Sequence, residues 1–179
     1  MLQIHDKTFE VFLPAEEIQN EIQSLAARIN ADYKGKDIVF VTVLNGAFMF
    51  AADLMKHVHL PAEIAFVKVS SYQGMNSTGR VDEVIGITQP LKNKHVVILE
   101  DIVDTGITME KLFTLLSVEH PASIEIAALL YKPEAFRGKH EPKYIGFSIP
   151  NKFVVGYGLD YNELGRNTAD IYQLKGSSH

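Results

Sequence analysis

Between Pro14 and Asn30 the apolar positions Ile18, Ile22, Leu25, Ala26 and Ile29 recur at spacings of three and four, the period of one helix face. Pro14 at the start and Glu16 and Glu17 in the first turn suit a helix N-terminus, so a helix is predicted over Pro14 to Asn30. The pattern then changes. Ile38 to Leu44 is almost continuously apolar and β-branched, as a strand buried on both faces should be. Asn45-Gly46 interrupts it, and Ala47, Ala51, Leu54, Met55 and Val58 restore a helical period. Further strands are predicted over Ile64 to Ser71, Val84 to Thr88, His95 to Leu99 and Ile124 to Tyr131. Tyr72 to Asp82 is polar and rich in small residues, so it reads as a loop. A helix carrying Met109, Leu112, Phe113 and Leu116 on one face follows the His95 strand. Tyr144 to Ile149, Phe153 to Val155 and Ile171 to Leu174 read as short strands near the end.

Strand and helix in alternation, with strands apolar throughout, predict an α/β fold: a mostly parallel central sheet flanked by helices. Such sheets bind ligands beyond the carboxyl ends of their strands, where strand order reverses. The loops after Leu44, Ser71, Leu99 and Tyr131 are therefore expected on one edge. Repeats, low-complexity tracts and linkers are not evident, and 179 residues suit one domain.

Composition narrows the function classes. Hydrophobic residues make up 46% and charged residues 22%, as in soluble globular proteins. No apolar run reaches the ~18–20 residues of a membrane span, and the N-terminus lacks a signal-peptide pattern. The chain has no cysteine, which removes disulfides and thiolate metal sites; a cytoplasmic location without membrane attachment is expected. The seven histidines show no metal-ligand spacing. A net charge of −5 argues against nucleic acid as a partner. It also leaves any phosphorylated ligand to backbone donors, a few placed cations or a divalent metal.

The chemistry concentrates in Val96 to Met109, where an apolar strand runs into Glu100-Asp101, then Ile102-Val103-Asp104-Thr105-Gly106-Ile107-Thr108 opens a helix. Thr105, Gly106, Ile107 and Thr108 supply backbone N–H groups and two hydroxyls at a helix N-terminus, a site for a phosphate monoester. Glu100 and Asp101 would repel phosphate but suit ribose hydroxyls or a hard cation. Asp104 lies between the two, where a carboxylate could accept a proton. A lone Asp-Thr-Gly is more often an N-capped helix after an acidic strand end; the joint occurrence of three carboxylates and two threonines favours a ligand site.

This segment resembles the phosphoribosyl-pyrophosphate (PRPP) motif of type I phosphoribosyltransferases, and Glu-Asp-Ile-x-Asp-Thr-Gly resembles the hypoxanthine-guanine branch. The resemblance implies that family's fold, with a core over about 36–150 and a small hood from about 1–13 and 151–175. It implies ribose and metal contacts for Glu100 and Asp101, a proton acceptor near purine N7 in Asp104, and 5′-phosphate binding by the Asp104 to Thr108 loop. Asn45-Gly46 falls at the pyrophosphate loop, and Ser71-Tyr72 opens a segment resembling the mobile lid. Alone, Asn45-Gly46 suits a plain strand-to-helix turn equally well, and the lid segment an ordinary surface loop. Lys132 and the run Phe153 to Arg166 match the purine segment. There Lys132 is implied to bind the 6-oxo group, Phe153 to stack on the ring, the Val154 backbone to read its edge, Asp160 to support a second metal and Arg166 to contact pyrophosphate.

The resemblance thus implies a Mg²⁺-dependent purine-salvage enzyme that takes PRPP and an oxo-purine, assembled as a homodimer or homotetramer. A xanthine-preferring transferase and a PRPP-sensing, nucleic-acid-binding regulator of the same fold are the alternatives. Two positions depart from the family pattern: Asn45 and Ile107 stand where a basic residue is usual.

Overall fold

The computed structural model describes residues 1–70 and 82–176. Ser71 and Tyr72, assigned to a lid from the sequence, lie outside the described residues.

The sheet is built around the most apolar segment. β3 (Ile38–Val43) is buried at every position because it pairs in parallel on both sides, with β4 (Ala62–Ser70) and with β6 (His95–Val103). β7 (Ser123–Tyr131) and β8 (Tyr144–Ser148) continue the parallel ladder, and β5 (Asp82–Ile85) runs antiparallel at the other edge. The order is β5-β4-β3-β6-β7-β8. The chain thus winds outward from β3 to β4, returns past β3 to β6, and winds outward again. The crevice between the ends of β3 and β6 is the switch point where such sheets hold ligands.

Side-chain alternation along β3 joins the sheet to two layers. Ile38 and Phe40 pack with α1 (Ala15–Asp32) and α2 (Phe48–His57) through Ile18, Ile22, Leu25, Phe50 and Leu54. Val39, Val41 and Val43 pack on the other side with Met109, Leu112 and Leu116 of α3 (Ile107–Ser117). Pro14 flanks α1 as its extended cap residue, and the first free helical amide, Ala15 N–H, donates to the Asp170 carboxylate at 2.7 Å. That bond ties the helix start to the C-terminal part of the chain.

A second, antiparallel sheet in the order β1-β2-β10-β9 lies beside this core. It combines β1 (Leu2–Ile4) and β2 (Lys7–Leu13) with β9 (Val154–Val155) and β10 (Ile171–Leu174). The first two strands were not foreseen. β1 pairs with its neighbour β2, Leu2 opposite Phe9, but the other partner of β2 lies more than a hundred residues away, Leu13 pairing Ile171 and Phe9 pairing Leu174, and too few positions of either strand are buried to leave a periodic signal.

The strand expected to stop at Leu99 continues to Val103. β7 carries the ladder on through Glu100↔Ala128, Ile102↔Leu130 and Val103↔Tyr131, whereas the β3 pairing ends at Thr42↔Leu99. The acidic pair therefore sits in regular strand, held on one side and open on the side where β3 has turned away.

Candidate active site

Glu100 is 7% exposed, and its carboxylate accepts the Asp101 N–H at 3.1 Å. The Asp101 carboxylate accepts the Ile102 N–H at 2.7 Å. Burial raises the Glu100 pKa well above the usual carboxylate range, and the neighbouring Asp101 charge adds to it. Burial also raises Asp101, although hydrogen bonds and the Arg166 charge oppose it. Two crowded carboxylates in this state favour a shared proton or an incoming cation. Gly46 is essential to the crowding: a Cβ there would overlap the Asp101 carboxylate.

After β6 the chain turns at Asp104-Thr105 and enters α3 through Gly106, whose φ is 87°. No side chain caps the helix; the Thr105 hydroxyl is 3.5 Å from the Ile107 N. The first-turn amides of α3 thus remain available to an anion, beside a cavity of about 90 Å³ lined by Glu100 and the run from Ile102 to Met109. The segment after β7 braces the turn from behind. Arg137 N–H donates to the Thr105 carbonyl at 3.0 Å. A Cβ on Gly106 would come within 2.5 Å of the Phe136 ring. Glu110, in the first turn of α3, accepts the Lys139 N–H at 2.6 Å and the His140 N–H at 2.9 Å.

Lys132 follows β7 directly, and its backbone N–H donates to the Val103 carbonyl at 3.0 Å. Its ammonium, with the side chain 8% exposed, donates to Asp104 Oδ2 at 3.1 Å. The Asp104 side chain is 46% exposed, so the pair joins a deep cation to a carboxylate that faces outward. Ile102, half buried between Glu100 and Asp104 in sequence, offers apolar surface at the same strand end. It was missed because an isoleucine in a strand carries no chemical signature.

Phe153 is 45% exposed and packs against Phe9 at 6.1 Å and edge-on to Tyr161 at 5.7 Å between centroids. Half of an aromatic ring is thereby supported and half presented. Val154 is buried in β9 opposite Gln173. The turn beyond β9 closes on itself: Arg166 donates to the Gly158 carbonyl at 2.8 Å and pairs with Asp160 at 3.1 Å. Asp160 also accepts the Glu163 N–H at 2.8 Å. Gly158 lies so close to the β3–α2 turn that a Cβ there would overlap the Gly46 carbonyl. In that turn Asn45 is exposed and the Leu44–Asn45 peptide is cis.

The sequence-derived residues are therefore linked in space. Asp104 meets Lys132, Asp101 meets Gly46, Gly46 meets Gly158, and Gly158 meets Arg166 and through it Asp160. Val154 lies in β9 of the second sheet, with Phe153 just before it. Among the described residues no group of three His, Cys, Asp or Glu forms a metal cage. Two adjacent carboxylates match instead a hard cation that keeps water and substrate oxygens as its remaining ligands.

A switch-point crevice that pairs acidic oxygens with an uncapped helix N-terminus, under a small antiparallel sheet, defines the phosphoribosyltransferase class. The phosphoribosyl transferase domain family matches residues 12–162. Over 173 residues the chain is 43% identical to a hypoxanthine-guanine phosphoribosyltransferase of Staphylococcus aureus, covering 96% of this chain and 97% of that protein. The Staphylococcus epidermidis enzyme of the same name matches at the same identity and coverage. The crystal structure of a hypoxanthine phosphoribosyltransferase from S. aureus superposes with a TM-score of 0.88 at 44% identity, covering 96% of this chain and 94% of that one. A hypoxanthine-guanine phosphoribosyltransferase from Bacillus anthracis superposes at 0.88 with 34% identity, covering 95% and 99%. With likeness of this extent in both sequence and fold, the chain belongs to the hypoxanthine-guanine phosphoribosyltransferase family.

Proposed function

We propose that the protein transfers the 5-phosphoribosyl group of PRPP to N9 of hypoxanthine or guanine, giving IMP or GMP and pyrophosphate, as a purine-salvage enzyme. The observation that carries the base assignment is the Lys132–Asp104 pair at 3.1 Å. A 6-oxopurine presents a carbonyl oxygen and the N7 proton side by side on one edge. An ammonium beside a carboxylate complements that edge, donor to acceptor and acceptor to donor. An amino group at position 6 would face the Lys132 cation unfavourably, and a pyrimidine has no N7.

The remaining roles are those the family resemblance implies. The Phe153 ring stacks on the planar base, and the Val154 backbone reads its far edge. Glu100 and Asp101 would hold the ribose hydroxyls and Mg²⁺, and Asp160, paired with Arg166, would support a second metal. When bound, Mg²⁺ neutralises charge on the departing pyrophosphate. Thr105, Gly106, Ile107 and Thr108 receive the 5′-phosphate on the α3 amides. Asn45, Gly46 and Arg166 face the pyrophosphate. As N9 attacks C1 of the ribose and the C1–oxygen bond to pyrophosphate breaks, Asp104 takes the proton from N7. The reaction belongs in the cytoplasm, with PRPP and an oxo-purine as the small-molecule partners.

Steady-state specificity constants for hypoxanthine, guanine and xanthine with PRPP and Mg²⁺ test the substrate assignment. Hypoxanthine or guanine is expected to lead; a preference for xanthine would replace it.

A further inference from the structure

Tyr157 is a large, fully buried side chain of the Phe153 to Arg166 segment that the chemistry above does not use. It is 1% exposed, and its backbone φ is 50°, a left-handed conformation that disfavours a bulky residue. Glycines flank it at φ 106° and 97°. Such a backbone persists when its surroundings fix it, and here they do so at both ends of the residue. The Tyr157 N–H donates to the Thr168 carbonyl at 3.0 Å. The phenol donates to Asp53 Oδ2 at 2.5 Å, inside α2. Asp53 also accepts Gln19 Nε2 of α1 at 2.9 Å and Lys56 at 2.8 Å. Burial raises the Asp53 pKa, but these hydrogen bonds outweigh it and leave the group below the usual range, a bound carboxylate. The phenol is raised by burial and by the same bond, so it remains the donor.

The position of this anchor gives it a consequence beyond stability. Asp53 sits on α2, the helix that begins just after Asn45 and Gly46. Tyr157 directly precedes Gly158, which touches the Gly46 carbonyl and accepts from Arg166. The β3–α2 turn is thus clasped between the Asp101 carboxylate on one side and Gly158 on the other. One hydrogen bond ties the helix that starts from that turn to the residue preceding Gly158.

We infer that Tyr157 and Asp53 are positioning residues for the pyrophosphate half of PRPP: their bond sets the register between the Asn45–Gly46 turn and the Gly158–Arg166–Asp160 turn. The base half of the site, built on Lys132, Asp104 and Phe153, does not depend on it. This inference rests on the function proposed above, and the experiment separates the two. Tyr157→Phe removes the phenol donor and keeps the ring. Asp53→Ala removes the acceptor, and Asp53→Asn keeps a carbonyl oxygen for Tyr157. Initial rates are measured at varied PRPP with saturating base, then at varied base with saturating PRPP. Thermal unfolding and titration of Mg²⁺–pyrophosphate are followed on the same samples. Tyr157→Phe and Asp53→Ala should raise the KM for PRPP and weaken pyrophosphate by roughly tenfold, leave the KM for the base unchanged, and be largely rescued in Asp53→Asn. A lower unfolding temperature with both KM values and pyrophosphate affinity unchanged makes the bond purely structural and overturns the inference. Equal rises in both KM values overturn it as well. Absence of phosphoribosyl transfer by the unaltered protein would refute the proposed function instead, while the pyrophosphate titration still reads the register.

Discussion

The proposed base specificity rests on one contact, between Lys132 and Asp104. An ammonium whose side chain is 8% exposed is costly to bury without a partner, and Asp104 supplies it at 3.1 Å. In the proposed reaction the same carboxylate is the proton acceptor once base is bound. Asp104→Asn keeps the size and a carbonyl oxygen but cannot take the proton. Its turnover should fall by about a hundredfold or more, while PRPP affinity, measured by equilibrium titration, stays near that of the parent. Wild-type turnover would remove the proton-acceptor role. At the two departures from the family pattern the proposed anion sites carry no added charge: Asn45 is exposed at the β3–α2 turn, and Ile107 is 60% exposed at the head of α3. Asn45→Lys and Ile107→Lys should each lower the KM for PRPP by about two- to fivefold, the size of one solvent-screened charge contact. An unchanged KM would mean that backbone donors already satisfy the phosphates.

Elements place these residues, and they differed in how far sequence revealed them. α1 and α3 were legible because burial on one face imposes a 3.6-residue period, and β3 because burial on both faces removes polar residues altogether. The acidic end of β6 was read as loop, since Glu100 and Asp101 break the apolar run; only pairing with β7 keeps them in strand. β1 and β2 carry no periodic signal, because the hairpin they form is anchored through β2 to β10, far away in the chain. Tyr157 was invisible for a related reason: its partner Asp53 looks like any polar helix residue until the fold brings them together. The α3 N-terminus depends on backbone shape. Gly106→Ala forces a Cβ into left-handed backbone and against Phe136. It should cost about 1–3 kcal/mol in denaturant unfolding and raise the KM for PRPP. Stability equal to the parent would show that the turn relaxes freely. The α2 anchor predicts a pH effect of definite sign. Because the Asp53 pKa is depressed in the folded protein, its contribution is present above the unfolded value of about 3.9. That contribution is lost as pH falls through the depressed folded value. Asp53→Asn should therefore show a flatter acid limb below about pH 4 in unfolding temperature against pH; an identical limb would contradict it.

At the scale of the whole molecule, two sheets divide the labour. In the function we propose, the parallel sheet holds PRPP from the ends of β3 and β6 and adds Lys132 for the base after β7, while Phe153, Val154 and the Arg166 turn belong to the part of the chain that forms the antiparallel sheet. Because the two halves of the antiparallel sheet come from opposite ends of the chain, that sheet shows in the sequence only as short strands near the C-terminus, while the Glu100 to Thr108 motif is compact enough to be recognised. Exposed Phe48 on α2 and Phe66 on β4, each 43% exposed, leave apolar surface that suits the homodimer or homotetramer implied by the family; light scattering during gel filtration reads this, and a monomer at micromolar concentration would count against it. The central claim is the reaction itself. Radiolabelled hypoxanthine incubated with PRPP and Mg²⁺ should yield labelled IMP together with one pyrophosphate per nucleotide, and chelating the metal should abolish both. No labelled nucleotide from hypoxanthine, guanine or xanthine, with Mg²⁺–PRPP still bound, would contradict the account and leave a PRPP-binding protein without transferase activity.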